Sequence, residues 1–226
     1  MRCSLILFYR SMRSIYNITA ELKEYIETEI LPCYDTFDKA HDRTHALTVI
    51  SQSLELAQHY DVNVAMVYAI AAYHDTGLCE GRENHHTASA HIVRGDEKLE
   101  QFFTAEQIEI MADAVEDHRA SNSRPPRTIY GKIVAEADRL IDSRTIMTRT
   151  IQYGLANYPA LTREEHLKRA VQHIKDKYGN GGYLRLWIPE SPNTLNLEEF
   201  RRLIDNTKKL RCRLEEIYKE ETASII

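Results

Sequence analysis

The sequence predicts an all-helical protein, and three observations predict it. Apolar positions recur at spacings of three and four, glycine is scarce at eight residues in 226, and no strand-turn-strand alternation persists. The elements follow in order from caps and breakers. A first helix opens at a Thr19 cap, enters through Glu21-Leu22 and runs through Ile30 to a stop at Pro32. A second begins after His41-Asp42-Arg43-Thr44, with Leu47, Ile50, Leu54 and either Leu56 or Ala57 on its inward stripe and His45 in its first turn. The third, Val62 to His74, is apolar nearly all round, which predicts a central helix whose end lies inside the protein.

A fourth helix covers Asn84 to Arg94, and a fifth covers Thr104 to Arg119, opened by Thr104 and Gln107 in the pattern of a capping box. Ser121 to Arg127, with Pro125 and Pro126, is a loop. The sixth helix, Tyr130 to Asp142, carries Ile133, Val134, Ala137 and either Leu140 or Ile141 inward, which sets Asp138 beside an apolar stripe. A carboxylate there needs a partner. Helices at Arg144 to Ala156 and Thr162 to Tyr178 precede a glycine-rich turn at 179–182, an irregular or briefly extended segment from Tyr183 to Asn193, and one closing charged helix from Leu197 to Glu221. The closing helix places Leu203, Leu210, Leu214 and Ile217 near helical spacing, suited to docking on its own core in preference to a second subunit.

We read residues 1–18 as an N-terminal extension, with Met12 as an alternative start, and 19–226 as one domain whose core spans about residues 40–142. The net charge of -5 argues against a surface that binds nucleic acid through bulk positive charge. Cys3, Cys33, Cys79 and Cys212 are scattered and form no C-x-x-C pair, so neither a disulfide framework nor a zinc knuckle is signalled. The apolar stretch Cys3 to Tyr9 is too short to span a bilayer and lacks a cleavage site. A cytoplasmic protein without a membrane segment is the expectation.

Chemistry concentrates at His74-Asp75, where the apolar third helix ends and Thr76-Gly77 follows. Adjacent side chains in mid-helix diverge by about 100°, but at a terminus both can turn to one point. Glycine suits a helix stop in the left-handed conformation, which assigns that role to Gly77. Imidazole nitrogen with carboxylate oxygen suits Mn, Fe, Co, Ni or Zn, and isolated His45 upstream and Asp138 downstream extend the donor set. A bare His-Asp pair arises by chance in many chains. The surrounding sequence is what lifts this one above chance.

"AHDRTHALTVI" around His45, "YHDTGL" around His74-Asp75 and "IVAEADRLID" around Asp138 together resemble the H...HD...D signature of the HD superfamily of metal-dependent phosphohydrolases. "ENHHTASAHIV" and "AVEDHRAS" resemble its intermediate histidine motifs. The resemblance covers Ala40 to Asp142 and implies that His45, His74, Asp75 and Asp138 bind one divalent ion, with Mg added to the metals above. It further implies that His85 and His118 hold a second ion bridged by Asp75, with His86 as an alternative to His85. Without the resemblance, His118 reads equally as a cation at a helix C-terminus, and Asp138 with Arg139 as a buried ion pair. His41 reads as a helix-entry residue, while His59, His166 and His173 fall on predicted surfaces.

Carboxylate-rich sites repel anions unless cations compensate, and Arg82, Arg119, Arg127 and Lys132 are the candidates for gripping phosphate, with Arg124 beside the Pro-Pro turn. Asp75, Glu80 and Glu83 are the candidates for moving a proton. The expected activity is hydrolysis of a phosphoester or phosphoanhydride in a small phosphorylated metabolite, with a nucleotide favoured. A nucleotide sensor without turnover and a cyclic or linear dinucleotide phosphodiesterase are the alternatives. Trp187, in "GNGGYLRLWIPESPN", is either a base-stacking lid or a packed connector.

Overall fold

The computed structural model describes residues 18–38, 41–122 and 124–223, so the expectations about Cys3 to Tyr9 and a start at Met12 fall outside the described residues. Among those residues the secondary structure is helical, without a strand. None of the described helices is long and apolar enough to cross a membrane. Two compact units emerge: one takes the chain up to Arg139 and adds Trp187–Ser191, and the other takes Leu140–Leu186 with the segment from Pro192 onward.

In the first unit, α1 (Ala20–Tyr25) starts where the Thr19 side chain accepts from the Leu22 backbone N–H. The chain does not stop at Pro32. It widens into a π turn over Ile26–Ile30 and tightens into a 3-10 helix, Leu31–Thr36, with Pro32 in its opening positions, where a missing N–H costs no intrahelical bond. Helix α2 (Arg43–Ala57) is capped by Asp42, whose side chain accepts from the His45 N–H at 3.0 Å. Its buried face is Ala46, Val49, Ile50, Ser53, Leu56 and Ala57. Leu47 is 48% exposed and lies off that face, a correction to the expected stripe. The small residues Ala46 and Ser53 point inward, and a search for large apolar side chains passes over them.

Helix α3 (Val64–Tyr73) is the central element: every residue except Ala65 is buried, and it packs against α2, the π turn, α5 and α6. Asn63 caps it, accepting from Ala65 N–H at 3.0 Å and Met66 N–H at 3.4 Å. A 3-10 turn over Thr76–Glu80 follows, then α4 (His85–Gly95), a further 3-10 turn over Glu97–Gln101, and α5 (Ala105–Asp117) behind the Thr104/Gln107 capping box that the sequence predicted. Asp96 accepts from the phenols of both Tyr25 and Tyr73, fastening the α4–α5 connection to α1 and α3. Burial and that carboxylate push the Tyr25 hydroxyl up to about 12, so it stays a donor.

Helix α6 (Ile129–Ala137) ends five residues short of the expected Asp142 because Asp142 is itself the cap of the next helix, accepting from Thr145 N–H at 2.7 Å. The segment Trp187–Ser191 joins this unit through Trp187 N–H donating to Glu136 Oε2 at 2.7 Å and Tyr60 O–H donating to Glu190 Oε2 at 2.6 Å. Trp187 lies partly buried against the core, the packing of a connector.

The second unit contains α7 (Ser143–Asn157), α8 (Arg163–Tyr178, with a Thr162/Glu165 capping box), α9 (Asn193–Asp205) and α10 (Thr207–Ala223). The single closing helix expected from the sequence is therefore two. Asn206 leaves the helical region with ψ of 75°, and its side chain accepts from Lys209 N–H at 3.0 Å to start the second helix. His166 corrects another expectation. It is 2% exposed, its ring 5.8 Å from that of Tyr218.

Candidate metal centre

The six ligand-type side chains sit at helix ends. His45 is in the first turn of α2 and His85 opens α4, while His74, His118 and Asp138 are the C-cap residues of α3, α5 and α6. Helix C-termini carry partial negative charge, so three such ends meeting at one place favour a cation. Asp75 directly follows the α3 C-cap, its backbone already out of the helix with φ of −111° and ψ of 6°.

The donor atoms form two groups, His45/His74/Asp138 and Asp75/His85/His118, each with its atoms within 4.8 Å of one another. Within the first, the Nε2 atoms of His45 and His74 are 3.2 Å apart, and Asp138 Oδ1 lies 3.3 Å and 3.9 Å from them. Within the second, the Nε2 atoms of His85 and His118 are 3.2 Å apart, and Asp75 Oδ1 is 3.4 Å from each. The other Asp75 oxygen, Oδ2, is 3.2 Å from His74 and 3.7 Å from His45. One carboxylate thus spans both groups. Ligands held about 2.0–2.2 Å from an ion stand roughly 3.0–3.5 Å from each other, which matches most of these edges.

Tautomers sharpen the fit. The Nδ1 atoms of His74, His85 and His118 face the carbonyls of Ala71, Arg82 and Val115 at 2.8, 2.9 and 2.6 Å. A carbonyl only accepts, so each Nδ1 carries the hydrogen and each neutral ring presents a bare Nε2 lone pair inward. Two lone pairs at 3.2 Å repel unless a cation or a proton lies between them. The titration behaviour gives the same sign. Burial alone would lower His45, yet Asp138 and Asp75 outweigh it and raise it to about 9. Burial and the neighbouring His118 push His85 down to about 4, whereas Asp75 raises His118 against its own burial. Burial works against charge on Asp75 and Asp138, but the surrounding imidazoles hold both below the usual carboxylate range.

Two residues that the sequence reading did not single out set Asp75 and its neighbours in place. The buried Tyr34 hydroxyl donates to the Ala72 carbonyl at 2.9 Å and accepts from Asp75 N–H at 3.2 Å. Ser89 Oγ accepts from Gly77 N–H at 2.8 Å. Tyr34→Phe strands a buried carbonyl and a buried N–H, and is expected to cost about 1–3 kcal/mol in urea denaturation. Gly77 does not adopt the left-handed conformation predicted for it. The only glycine with positive φ among the described residues is Gly81, at 102°, and Gly77 is instead a point of close approach.

The candidate cations separate. Arg119 Nη1 donates to the Glu83 carbonyl and lies 3.4 Å from His86 Nδ1, beside the second donor group. Burial and Arg119 together lower the His86 pKa. Arg82 is exposed, 4.0 Å from Asp38, and Lys132 is half-buried on α6. Arg127, expected near phosphate, is bound up elsewhere. Its backbone N–H and Nε donate to Asp117 at 2.7–3.1 Å, Nη1 reaches Asp113 at 2.8 Å, and Nη2 pairs with Glu116. Arg124 also turns to Glu116 and Asp117, at 3.4 Å. Arg139, paired with Asp138 in one sequence reading, sends Nη1 to the Ala135 carbonyl. Glu80 and Glu83 are exposed. His41 packs as an entry residue, with Nδ1 2.9 Å from Asp38 Oδ1.

No curated protein and no solved structure matches the chain. The HD domain family model matches residues 43–141, a span holding every one of the six converging side chains. Over that segment the chain is similar to the HD domain, a family whose members are generally metal-dependent hydrolases.

Proposed function

We propose that the protein hydrolyses a phosphoester or phosphoanhydride bond of a small phosphorylated metabolite, a nucleotide being the favoured substrate. The observation that carries this reading is the reach of Asp75, one oxygen toward His45 and His74 and the other toward His85 and His118. In it, His45, His74, Asp75 and Asp138 would hold one divalent ion, and Asp75, His85 and His118 a second. The mixed imidazole and carboxylate set suits Mn, Fe, Co, Ni or Zn better than Mg. When bound, the ions supply Lewis acidity, making water a usable nucleophile near neutral pH and offsetting phosphoryl charge.

The chain's own residues do the rest. Phosphoryl transfer depends chiefly on positioning and charge, so Arg119, fixed by the Glu83 carbonyl, orients a phosphate oxygen, with Arg82 and Lys132 as more distant cations. The carbonyls of Ala71, Arg82 and Val115 fix the imidazole rings and keep their hydrogens on Nδ1. Glu80 and Glu83, both solvent-facing, are the carboxyls available to hand a proton to the leaving group, with Asp75 as the third candidate. Arg127 has no part in this scheme. Arg127→Ala is expected to lower stability by about 1–3 kcal/mol, since it removes the Nε and Nη2 partners of the buried Asp117 and leaves it only Arg124 at 3.4 Å and a backbone N–H, and to leave KM unchanged.

The spanning carboxylate also favours a second reading, cleavage of a cyclic or linear dinucleotide by a phosphodiesterase reaction. One experiment separates the readings: metal equivalents per chain are counted by elemental analysis, and the protein is incubated with mono- and dinucleotides in Mn, Co, Ni or Mg. Released phosphate or pyrophosphate supports the first. Cleaved dinucleotide supports the second, and saturable binding without product would make the protein a nucleotide sensor.

A further inference from the structure

His86 stands next to a candidate ligand, and its surroundings give it the opposite hydrogen-bonding character. The rings of His85 and His86 are 5.6 Å apart and tilted 67° to each other. His85 turns Nδ1 to a carbonyl and therefore offers a lone pair at Nε2. His86 turns Nδ1 to the Arg119 guanidinium at 3.4 Å. A guanidinium has donors only, so His86 Nδ1 is the acceptor and the hydrogen of the neutral ring sits on Nε2. An Nε2–H cannot ligate a metal, but it can donate to an anionic oxygen.

Arg119 is itself fixed, since its Nη1 also donates to the Glu83 carbonyl, so the orientation of His86 is set by a side chain that is not free to swing. Arg119 follows His118 in sequence and His86 follows His85. The His85–His86 ring contact at 5.6 Å and the Arg119–His86 distance of 3.4 Å set a cation and a neutral N–H donor next to a member of the second donor group.

We propose that His86 is a substrate-binding residue, donating through Nε2–H to a terminal phosphoryl oxygen alongside Arg119, and is not a metal ligand. The ligand class this pair fits is a phosphate monoester or the terminal phosphate of an anhydride. It carries free oxygens for both a guanidinium and an imidazole N–H, whereas a diester offers fewer. The inference rests on the phosphohydrolase reading and makes the dinucleotide diester the less favoured substrate.

The test uses full-length protein, inorganic phosphate as probe, and two variants. His86→Phe keeps the ring and removes the donor, and His86→Gln restores an N–H near the position of Nε2. Both variants are expected to retain the metal equivalents of the unsubstituted protein. Phosphate affinity measured by calorimetry should fall about tenfold or more in His86→Phe, the loss of one hydrogen bond to a charged group, and return most of the way in His86→Gln. Loss of a metal equivalent in His86→Phe would show that His86 is a ligand and overturn the proposal, as would unchanged phosphate affinity. Metal uptake is measured separately, by elemental analysis after loading with Mn, Co, Ni or Mg. A chain that takes up none of them removes the hydrolase reading, while a chain that loads metal but binds phosphate equally well with and without the His86 imidazole removes this proposal alone.

Discussion

Asp75→Ala is expected to remove bound divalent metal from both donor groups and to abolish phosphate release, with helix content by circular dichroism unchanged. Its two oxygens reach both sets of imidazoles, Oδ2 toward His45 and His74 and Oδ1 toward His85 and His118. Replacing residues that merely orient a ligand reduces metal affinity or activity by about 10–100-fold, so loss of a shared ligand should exceed that range. His74→Ala is expected to be milder on metal count, since it belongs to one group. Elemental analysis of both variants beside chelator-treated protein makes the measurement. Full hydrolysis by metal-stripped Asp75→Ala protein would end the proposed function.

The second large effect comes from one methyl group. A Cβ at Gly77 would stand 2.3 Å from the His85 carbonyl oxygen, 2.4 Å from the Ser89 nitrogen and 2.7 Å from the Ala88 Cβ. Two of these atoms are helical backbone, which cannot move aside as a flexible side chain can. Gly77→Ala must therefore push α4 away from the 76–80 turn, breaking the Gly77–Ser89 hydrogen bond and carrying His85 with it. Overpacking of this kind costs up to about 3 kcal/mol, a fall of about 6–12 °C in Tm for a chain of this size. The accompanying loss of His85 from its group should lower metal occupancy even at temperatures where the variant is folded. A variant with unchanged Tm and metal content would contradict the close approach.

The site was more legible than the packing around it, for a physical reason. Ligand chemistry demands particular residue types, so His45, His74, Asp75, His85, His118 and Asp138 could be picked out one by one, and the fold brings their donor atoms together. Capping is equally local, and Thr19 and Thr104 act where the pattern puts them. Hydrogen bonds across long sequence separations leave no such mark. Nothing near Tyr34 announces that its hydroxyl will hold an amide forty-one positions away. Arg127 lies near the ligands in sequence, but the Asp113, Glu116 and Asp117 carboxylates claim its side chain, and no local pattern marks that pairing. Pro32 misled because a proline stops an α-helix interior but can begin a 3-10 turn.

Three helix C-termini and two carboxylates aimed at one spot have a consequence for timing. Left to themselves they favour a cation over a phosphate. On the proposed function, occupancy is then ordered, with the cation arriving first and the anion afterwards. On that reading, affinity for a phosphorylated substrate is conferred by the ion, and metal-stripped protein is expected to stay folded while its phosphate binding weakens.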